Sequence, residues 1–521
     1  MFRTNDIQNN NEAFGFIHHN TGKLLPLSLA DGDDENANYV VTRRTWPDNV
    51  KFGVATAAYQ IEGGWDADGK GEQVWDTWIH NNPGKVADHS NGDVASDSYH
   101  KYTDDVAAMK EVGVDYHRLS IAWSRILPNG TIDNINQAGI DYYIKVFEEL
   151  KANGIGAMVT LYHWDIPTDL ENQGGWLNPD VVDWFADYAR LCYEQFGDYV
   201  DSLGDHQRTE ADLPRRVRIW RFCSGCGVQR SWGVPVRQAC SLAHAKAWHI
   251  FDEEFRSKSE ARNTIVIDSD WYEPTTDSDE DEAAAEIWRQ FIVRYCSPSQ
   301  FGMYANPVYS KDWPQVMIDR IADRSEKEGF NSSRLPAFSD EEVEYISGTY
   351  DFLAVNHYTS YMVSAAGEPA ISDPSFSRDG GQSVYQKDTW QQAAAGWFKI
   401  VPWGIGKLLR WIKKTYGNIE IVITENGVSD LTGTLDDDHR INYIQMYMSH
   451  ILDAMYEEDV NVTAYTLWSI IDNFEWTQGF NAKLGIYYVN MSDPERPRVA
   501  KKSSKYYSSI IKTRCLVDSC T

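Results

Sequence analysis

The chain has 521 residues, of which 42% are hydrophobic, and it carries a formal net charge of −29. This hydrophobic content can form a large core, and a single α/β barrel with long loops reaches this length. The negative charge disfavours nucleic acids and anionic membrane surfaces as partners, because both would be repelled at long range. No run of eighteen apolar residues occurs, so the sequence predicts no transmembrane helix.

The N-terminal residues 1–43 are polar and rich in asparagine, and they do not fit the pattern of the rest of the chain. They contain no basic segment followed by an apolar core, so no signal peptide is predicted. Asn-X-Ser/Thr triplets such as the one at Asn129 would suit a secreted protein, but several arise by chance in a long chain. The seven cysteines do not define a disulfide framework, so the compartment stays open.

Short apolar, β-branched segments alternate with amphipathic stretches along the chain, which predicts parallel β/α architecture. The predicted strands are Lys51–Ala57, Asp115–Ile121, Ala157–Trp164, Thr264–Asp268, Asp351–Tyr358, Glu420–Thr424 and Val462–Ser469. The predicted helices include Asp104–Val112, Ile140–Asn153, Asp180–Phe196 and Gly404–Tyr416. The eighth strand of a (β/α)8 barrel is expected near residues 200–210.

Polar and charged residues cluster where the predicted strands end. They are Gln60, Arg118, His163-Trp164-Asp165, Asn356, Glu425 and Asp472 to Glu475. In a (β/α)8 barrel the active site lies at the carboxyl ends of the strands. This placement therefore predicts an active site in the barrel mouth.

The segment Ile421-Val-Ile-Thr-Glu425-Asn-Gly427 is an apolar strand that ends in a carboxylate and a turn. A glutamate at a strand end is, by itself, more often a solvated loop residue. The combination Thr-Glu-Asn-Gly is more specific, and it resembles the nucleophile motif of family 1 glycosidases. Retaining glycosidases need such a nucleophile and a second carboxyl about 5–5.5 Å away, which acts first as acid and then as base.

Further motifs of the same family occur in its order from Arg44 to about Ser509. They are Phe52-Gly-Val-Ala-Thr-Ala-Ala-Tyr-Gln60-Ile-Glu-Gly63, Trp75-Asp-Thr-Trp, Tyr116-His-Arg118-Leu-Ser-Ile-Ala-Trp123-Ser-Arg, Leu161-Tyr-His163-Trp164-Asp, Val355-Asn356-His-Tyr358-Thr and Trp468-Ser-Ile-Ile-Asp-Asn-Phe-Glu475-Trp476. The chain thus resembles β-glucosidases of glycoside hydrolase family 1, with animal and particularly insect members the most similar in character. The resemblance implies one (β/α)8 barrel over residues 44–509, preceded by segment 1–43 and followed by a tail, 510–521.

The resemblance also implies a role for each residue that matches a family motif. Glu425 would be the nucleophile, and Arg118 and Tyr358 would hydrogen-bond its carboxylate. The residues implied in sugar binding are Gln60, His163, Asn356, Trp468, Glu475 and Trp476, with Trp468 as the platform beneath the ring. The implied substrate is a small β-glycoside or oligosaccharide, with β-D-glucosides first and β-galactosides or β-fucosides as further candidates. No metal or cofactor is implied, and the family favours secretion.

Residues 204–240 depart from the family pattern. The fourth strand should end in Thr-(Phe/Ile)-Asn-Glu-Pro, whose glutamate is the acid/base, but this segment has seven arginines, no lysine and no such motif. Permissible codons for the segment, read one base later, can spell Val-Ile-Thr-Asn-Glu-Pro, which suggests a reading-frame shift. The missing glutamate would then straddle the codons of Arg208 and Thr209. Glu210 is a poor substitute because it lacks the preceding asparagine and the following proline, so no acid/base is identifiable.

Two other patterns in this region resemble functional sites. Cys223, Cys226, His244 and His249 imitate a zinc-ligand set, but the histidines lie in a stretch that matches the glycosidase. The arginines imitate a nucleic-acid patch, which the acidic chain disfavours. Without its acid/base the chain as written could be a catalytically impaired or non-catalytic sugar-binding relative. Thioglucosidase activity is a further alternative. An arginine-rich segment is also not expected to fill a central barrel strand.

Overall fold

The structure, a computed structural model, describes residues 39–201, 219–223, 233–291, 301–367, 371, 379–396 and 398–520. The chain divides into two compact units after Tyr39, and Val40–Thr521 contains every element given below. Most of the predicted N-terminal segment 1–43 lies outside the described residues. None of the helices described is long and apolar enough to cross a membrane.

Eight parallel strands close into a barrel in which each strand pairs with its neighbours in chain order. The strands are β1 (Lys51–Ala55), β2 (Tyr116–Ser120), β3 (Gly156–Tyr162), β4 (Ile219–Cys223), β5 (Arg262–Asp268), β6 (Leu353–Asn356), β7 (Ile421–Asn426) and β8 (Val462–Trp468). β1 pairs with both β8 and β2, which completes the ring. The predicted (β/α)8 barrel is confirmed, and seven of its strands lie where the sequence predicts them.

The fourth strand is the exception, because it lies at Ile219–Cys223 and not near residues 200–210. It pairs in parallel with β3 and β5, and its register against β3 shifts between Thr160 and Tyr162. The expectation that this arginine-rich segment cannot fill a barrel strand is therefore wrong. The physical reason is local: Ile, Trp and Phe within the pentapeptide favour strands, whereas residues 204–210 contain no residue of this kind except Thr209.

Helices connect the strands, and each of the four predicted helices overlaps one in the structure. The helices are Ala58–Ile61, Val74–Asn81, Ser98–Val112, Trp123–Ile126, Gln137–Ala152, Thr168–Asn172, Val181–Asp201, Gly233–Ile250, Asp279–Phe291, Phe301–Ala305, Gln315–Lys327, Asp340–Ile346, Trp403–Tyr416, Asp438–Glu458 and Lys502–Thr513. Helix Ser98–Val112 ends at Gly113, which has a φ of 85° and donates its backbone N–H to the carbonyl of Met109. Glycine adopts this left-handed conformation without strain, so it directs the chain into β2.

Two small sheets and a disulfide complete the described structure. Strands Trp271–Pro274, Ser360–Ser364 and Ser383–Tyr385 form one sheet, and Tyr487–Val489 pairs with Arg498–Ala500 in the other. Cys515 and Cys520 form a disulfide that follows the last helix. That helix runs across residue 509, where the sequence places the end of the barrel domain.

A cluster of buried hydrophobic side chains from most of the barrel strands fills the barrel interior. They are Tyr116, Met158, Val266, Phe352, Ala354, Val422 and Ala464. Side chains two residues apart on a strand face the same side, so the positions two residues beyond Tyr116, Val266 and Ala354 also face inward at the carboxyl end. Those positions are Arg118, Asp268 and Asn356. The fold thus lines its mouth with polar groups.

Candidate active site

Glu425 is held at the carboxyl end of β7 by donors from two other parts of the barrel. Glu425 as a whole residue is 6% exposed. The Tyr358 hydroxyl donates to Oε2 at 2.8 Å, and Arg118 Nη1 donates to Oε1. His163 Nε2 lies 4.0 Å from the same Oε1. Both carboxylate oxygens are therefore fixed by neighbours on β2 and in the loop after β6.

Competing effects set the ionisation of Glu425. Burial raises the pKa of this carboxyl, but the charge of Arg118, the His163 ring and the hydrogen bonds from Arg118 and Tyr358 hold it below its ordinary value. Burial and the adjacent Glu425 charge raise the pKa of Tyr358 well above its ordinary value. At neutral pH the glutamate is therefore an anion and the tyrosine keeps the proton that it donates.

Each residue of the Thr-Glu-Asn-Gly motif has a structural reason. The Thr424 hydroxyl donates to Asn356 Oδ1 at 2.7 Å, which ties β7 to β6. Asn426 donates to the His357 carbonyl at 2.8 Å and accepts from the Tyr465 hydroxyl at 2.8 Å. A Cβ on Gly427 would lie 1.9 Å from the carbonyl oxygen of Trp468, so only glycine fits there. These contacts fix the backbone that aims Glu425.

Gln60 lies in the short helix after β1 and contacts the loop that follows β8. Its Nε2 donates to Asn473 Oδ1 at 3.1 Å, the Phe474 carbonyl at 2.9 Å and Glu475 Oε2 at 3.2 Å. Gln60 Oε1 is buried and has no hydrogen-bond partner within the described part of the chain. Buried acceptors are normally satisfied, so this atom is available to a ligand hydroxyl.

Glu475 is a carboxyl of a different kind from Glu425. It is 8% exposed. Burial and the negative charge of Glu425 raise the pKa of Glu475 to about 8, although the hydrogen bond from Gln60 works in the opposite direction. At pH 7 Glu475 is therefore mostly neutral and can donate as well as accept a hydrogen bond. Glu425 and Glu475 thus combine an ionised carboxyl with a mostly protonated one, as sites for acid–base chemistry often do.

Aromatic rings form the remaining wall. The His163 ring is nearly parallel to those of Trp468 and Trp476, with centroid separations of 6.1 and 5.6 Å. Trp164 lies 5.0 Å from Trp476 and extends this wall. Asn356, tied to Thr424, completes the set. The structure thus brings together the site residues that the sequence analysis singles out.

Asp268, at the end of β5, is a neighbour that sequence reasoning missed. Burial and the charges of Asp270 and Glu425 raise the pKa of Asp268 well above its ordinary value, against the influence of Arg118. Its signal was available, because Asp268 is the last residue of a predicted strand, as Glu425 is nearly the last of another. No family motif drew attention to it.

The family position of the acid/base lies outside the described residues. The pentapeptide of β4, Ile219–Cys223, contains no carboxylate, and Arg208, Thr209 and Glu210 lie outside the described residues. The zinc-like set is not assembled in the described part. His244 and His249 direct Nε2 to the backbone carbonyls of Thr349 and Tyr345, at 2.7 and 2.8 Å. No group of three side chains placed to ligate a metal occurs among the described residues, which exclude Cys226.

Comparison with known proteins places these features in a family. The model of glycosyl hydrolase family 1 matches residues 42–515. Myrosinase 1 of Brevicoryne brassicae is 37% identical over 470 residues, which cover 90% of this chain and 98% of that protein. The cytosolic β-glucosidase of Homo sapiens is 37% identical over 478 residues, covering 90% and 99%.

Solved structures agree with the sequence relatives. The structure of aphid myrosinase has a TM-score of 0.81 at 35% identity and covers 91% of this chain and 100% of its own. The rice Os3BGlu6 β-glucosidase has a TM-score of 0.79 at 32% identity, with 90% and 99% covered. The family predicted from the motifs is therefore confirmed, and the chain belongs to glycosyl hydrolase family 1.

Proposed function

We propose that this family 1 glycosidase releases terminal β-D-glucose from small β-glycosides with retention of configuration, and that Glu425 is its nucleophile. The observation that carries the proposal is the ionised Glu425 carboxylate, held at both oxygens by Arg118 and Tyr358. Retaining glycosidases need a carboxylate aimed at the anomeric carbon. Arg118 and Tyr358 supply this aim and keep the group charged.

The reaction is a double displacement. In the first step a Glu425 oxygen bonds to the anomeric carbon while the bond to the leaving oxygen breaks and an acid protonates that oxygen. In the second step water attacks the same carbon and gives its proton to the conjugate base of that acid, the glycosyl ester breaks, and both carboxyls return to their starting states. The family position of the acid/base, expected near Arg208–Thr209, lies outside the described residues.

The sugar ring would bind between the polar and aromatic walls of the mouth. Gln60, with its unsatisfied Oε1, and the mostly neutral Glu475 can hydrogen-bond hydroxyls at one end. His163, Asn356 and Trp476 supply further polar groups, and Trp468 offers an apolar face. We propose these roles within a barrel domain over residues 44–509, with 1–43 and 510–521 outside it.

Relatives carry more than one activity in their names, including β-glucosidase and myrosinase at the same identity. A solved structure holds a mutant of rice Os3BGlu6 in a covalent complex with Glc. That state of the rice protein supports a covalent intermediate here. Thioglucoside cleavage stays a second candidate, because a good leaving group needs less acid assistance and β4 lacks a carboxylate in its described residues.

The test is covalent trapping with 2,4-dinitrophenyl 2-deoxy-2-fluoro-β-D-glucoside, followed by mass spectrometry. The expected result is one glycosyl adduct on the peptide that contains Glu425, absent from Glu425→Gln. A Glu425-dependent release of dinitrophenol from the unfluorinated glucoside should accompany it. A non-catalytic sugar-binding protein would give neither adduct nor release, which would refute the proposal.

A further inference from the structure

The neighbouring strands β5, β6 and β7 each carry a polar residue at their carboxyl end, and these three residues lie at the same height in the barrel mouth. Asp268 on β5 pairs in register with Asn356 on β6. Asn356 in turn pairs in register with Glu425 on β7. The carboxyl of Asp268 is therefore brought to the same height in the barrel as the carboxylate of Glu425, on the far side of one intervening strand.

Asp268 faces the inside of the barrel. Val266, two residues earlier on β5, belongs to the interior cluster, and side chains two apart share a face. Two interstrand spacings of about 4.8 Å separate the backbones of Asp268 and Glu425 by roughly 10 Å, and inward side chains on a closed barrel converge from that separation. This leaves room for a sugar's anomeric centre between the two carboxyls.

β5 also lies next to the strand after which the family acid/base is expected. β5 is the direct neighbour of β4, and Cys223, the last residue of β4, pairs with Val266. The expected family acid/base follows the fourth strand. Of the carboxyls that end the other described barrel strands, Asp268 is therefore nearest in barrel order to that position.

The surroundings of the Asp268 side chain also favour its protonated form. It is half-buried, so it keeps access to the mouth, and no side chain in the described ranges donates a hydrogen bond to it. Burial and the charges of Asp270 and Glu425 raise its pKa well above the ordinary value, and the opposing charge of Arg118 does not cancel them. An aspartic acid that stays protonated at neutral pH can act as a proton donor.

We propose that Asp268 protonates the leaving oxygen when this chain, as written, cleaves a glycoside. The inference rests on the proposed function and extends it. As Glu425 bonds to the anomeric carbon, the carbon–oxygen bond breaks and the Asp268 proton passes to the departing oxygen, which leaves as an alcohol. The Asp268 carboxylate then takes a proton from the water that opens the glycosyl ester, so both carboxyls return to their starting states.

Glu475, the other protonated carboxyl, is less suited to this role. Its Oε2 is engaged by Gln60, and its loop follows β8, on the opposite side of β7 from β5. Glu475 and Asp268 thus lie on opposite sides of Glu425 in the barrel order. Glu475 lies among the residues proposed to bind the sugar, whereas Asp268 lies on the side of Glu425 that is nearer to β4.

The experiment compares Asp268→Asn with Asp270→Asn on the full chain, using 2,4-dinitrophenyl and phenyl β-D-glucosides. Dinitrophenolate leaves without a proton, whereas phenolate needs one. Asp268→Asn should lower kcat/KM for the phenyl glucoside by about 10²–10⁴-fold and leave the first step on the dinitrophenyl glucoside within a few-fold. Azide should rescue turnover of the dinitrophenyl glucoside in Asp268→Asn, because azide needs no base.

Asp270→Asn is the matched control, since it makes the same side-chain change two residues away and keeps the donor. Because the charge of Asp270 helps to raise the pKa of Asp268, this variant should move the alkaline limb of phenyl glucoside cleavage to lower pH but keep that activity at acidic pH, and Asp268→Glu should recover part of the phenyl glucoside activity. Equal losses on both glucosides, or none, in a folded Asp268→Asn protein would overturn the proposal. If wild-type activity does not depend on Glu425, the proposed function fails instead, and the two failures are thus distinguished.

Discussion

Removing the Tyr358 hydroxyl tests how Glu425 is kept ionised. Tyr358→Phe deletes the 2.8 Å hydrogen bond to Oε2 but leaves Arg118 in place. A hydrogen bond to a charged group contributes about 1.5–3 kcal/mol, and one pKa unit corresponds to about 1.4 kcal/mol. Because the lost bond favours the anion, the pKa of Glu425 should rise by about 1–2 units.

The consequence has a definite sign. As the proposed nucleophile, Glu425 must be ionised to attack, so a raised pKa shifts the acidic limb of activity to higher pH by about 1–2 units. The assay is kcat/KM against pH for 2,4-dinitrophenyl β-D-glucoside, whose departure needs no acid. The control is Tyr188→Phe, which removes a buried hydroxyl that donates to the Leu161 carbonyl at 2.8 Å, away from Glu425. An acidic limb that stays in place in Tyr358→Phe, or moves equally in Tyr188→Phe, would refute this account of the ionisation.

Three further predictions concern packing, titration and a buried ion pair. Gly427→Ala would force its Cβ to 1.9 Å from a backbone carbonyl, so we expect a loss of about 1–3 kcal/mol in urea unfolding, whereas Gly197→Ala, with nothing within 4 Å, should be neutral or stabilising. Glu475→Gln should remove an alkaline fall in kcat/KM centred on about pH 8, because ionisation of Glu475 adds a second negative charge to the site; a fall that persists unchanged would contradict this. Asp430→Asn breaks a buried pair with Arg440, joined at 2.8 Å, and should cost about 3–5 kcal/mol at pH 7. Burial raises the pKa of Asp430, but Arg440, Lys501 and the hydrogen bonds to Asp430 together lower it to about 2. The cost should therefore be full above pH 4 and shrink as pH falls toward 2, and a loss independent of pH would count against it.

The seven strands that sequence patterning located are short apolar segments that alternate with amphipathic helical stretches, and this alternation made them recognisable. The fourth strand was misplaced because five residues within an arginine-rich stretch give too short a pattern. In the site, Glu425 was identifiable because the Thr-Glu-Asn-Gly segment at the end of its strand resembles the family motif. The contact of Gln60 with Glu475, 415 residues apart in the chain, is invisible to local patterning and required the family resemblance.

Asp268 was missed for a different reason. Its inward direction depends on the register of β5 against β6, and its protonation depends on burial beside Glu425. A single sequence gives neither register nor burial at a barrel mouth. A carboxyl that ends a predicted strand is therefore a candidate site residue even where no family motif includes it.

The Gln60 contact joins the two ends of the barrel, since Gln60 follows β1 and its partners Asn473, Phe474 and Glu475 follow β8. During synthesis Glu425 emerges before β8 and before the loop that carries Glu475. A nascent or truncated chain that ends before Val462 would contain Glu425 but lack β8, the strand that closes the ring against β1. The closed ring and the contacts of Gln60 therefore form only after the last strand and its loop have been made.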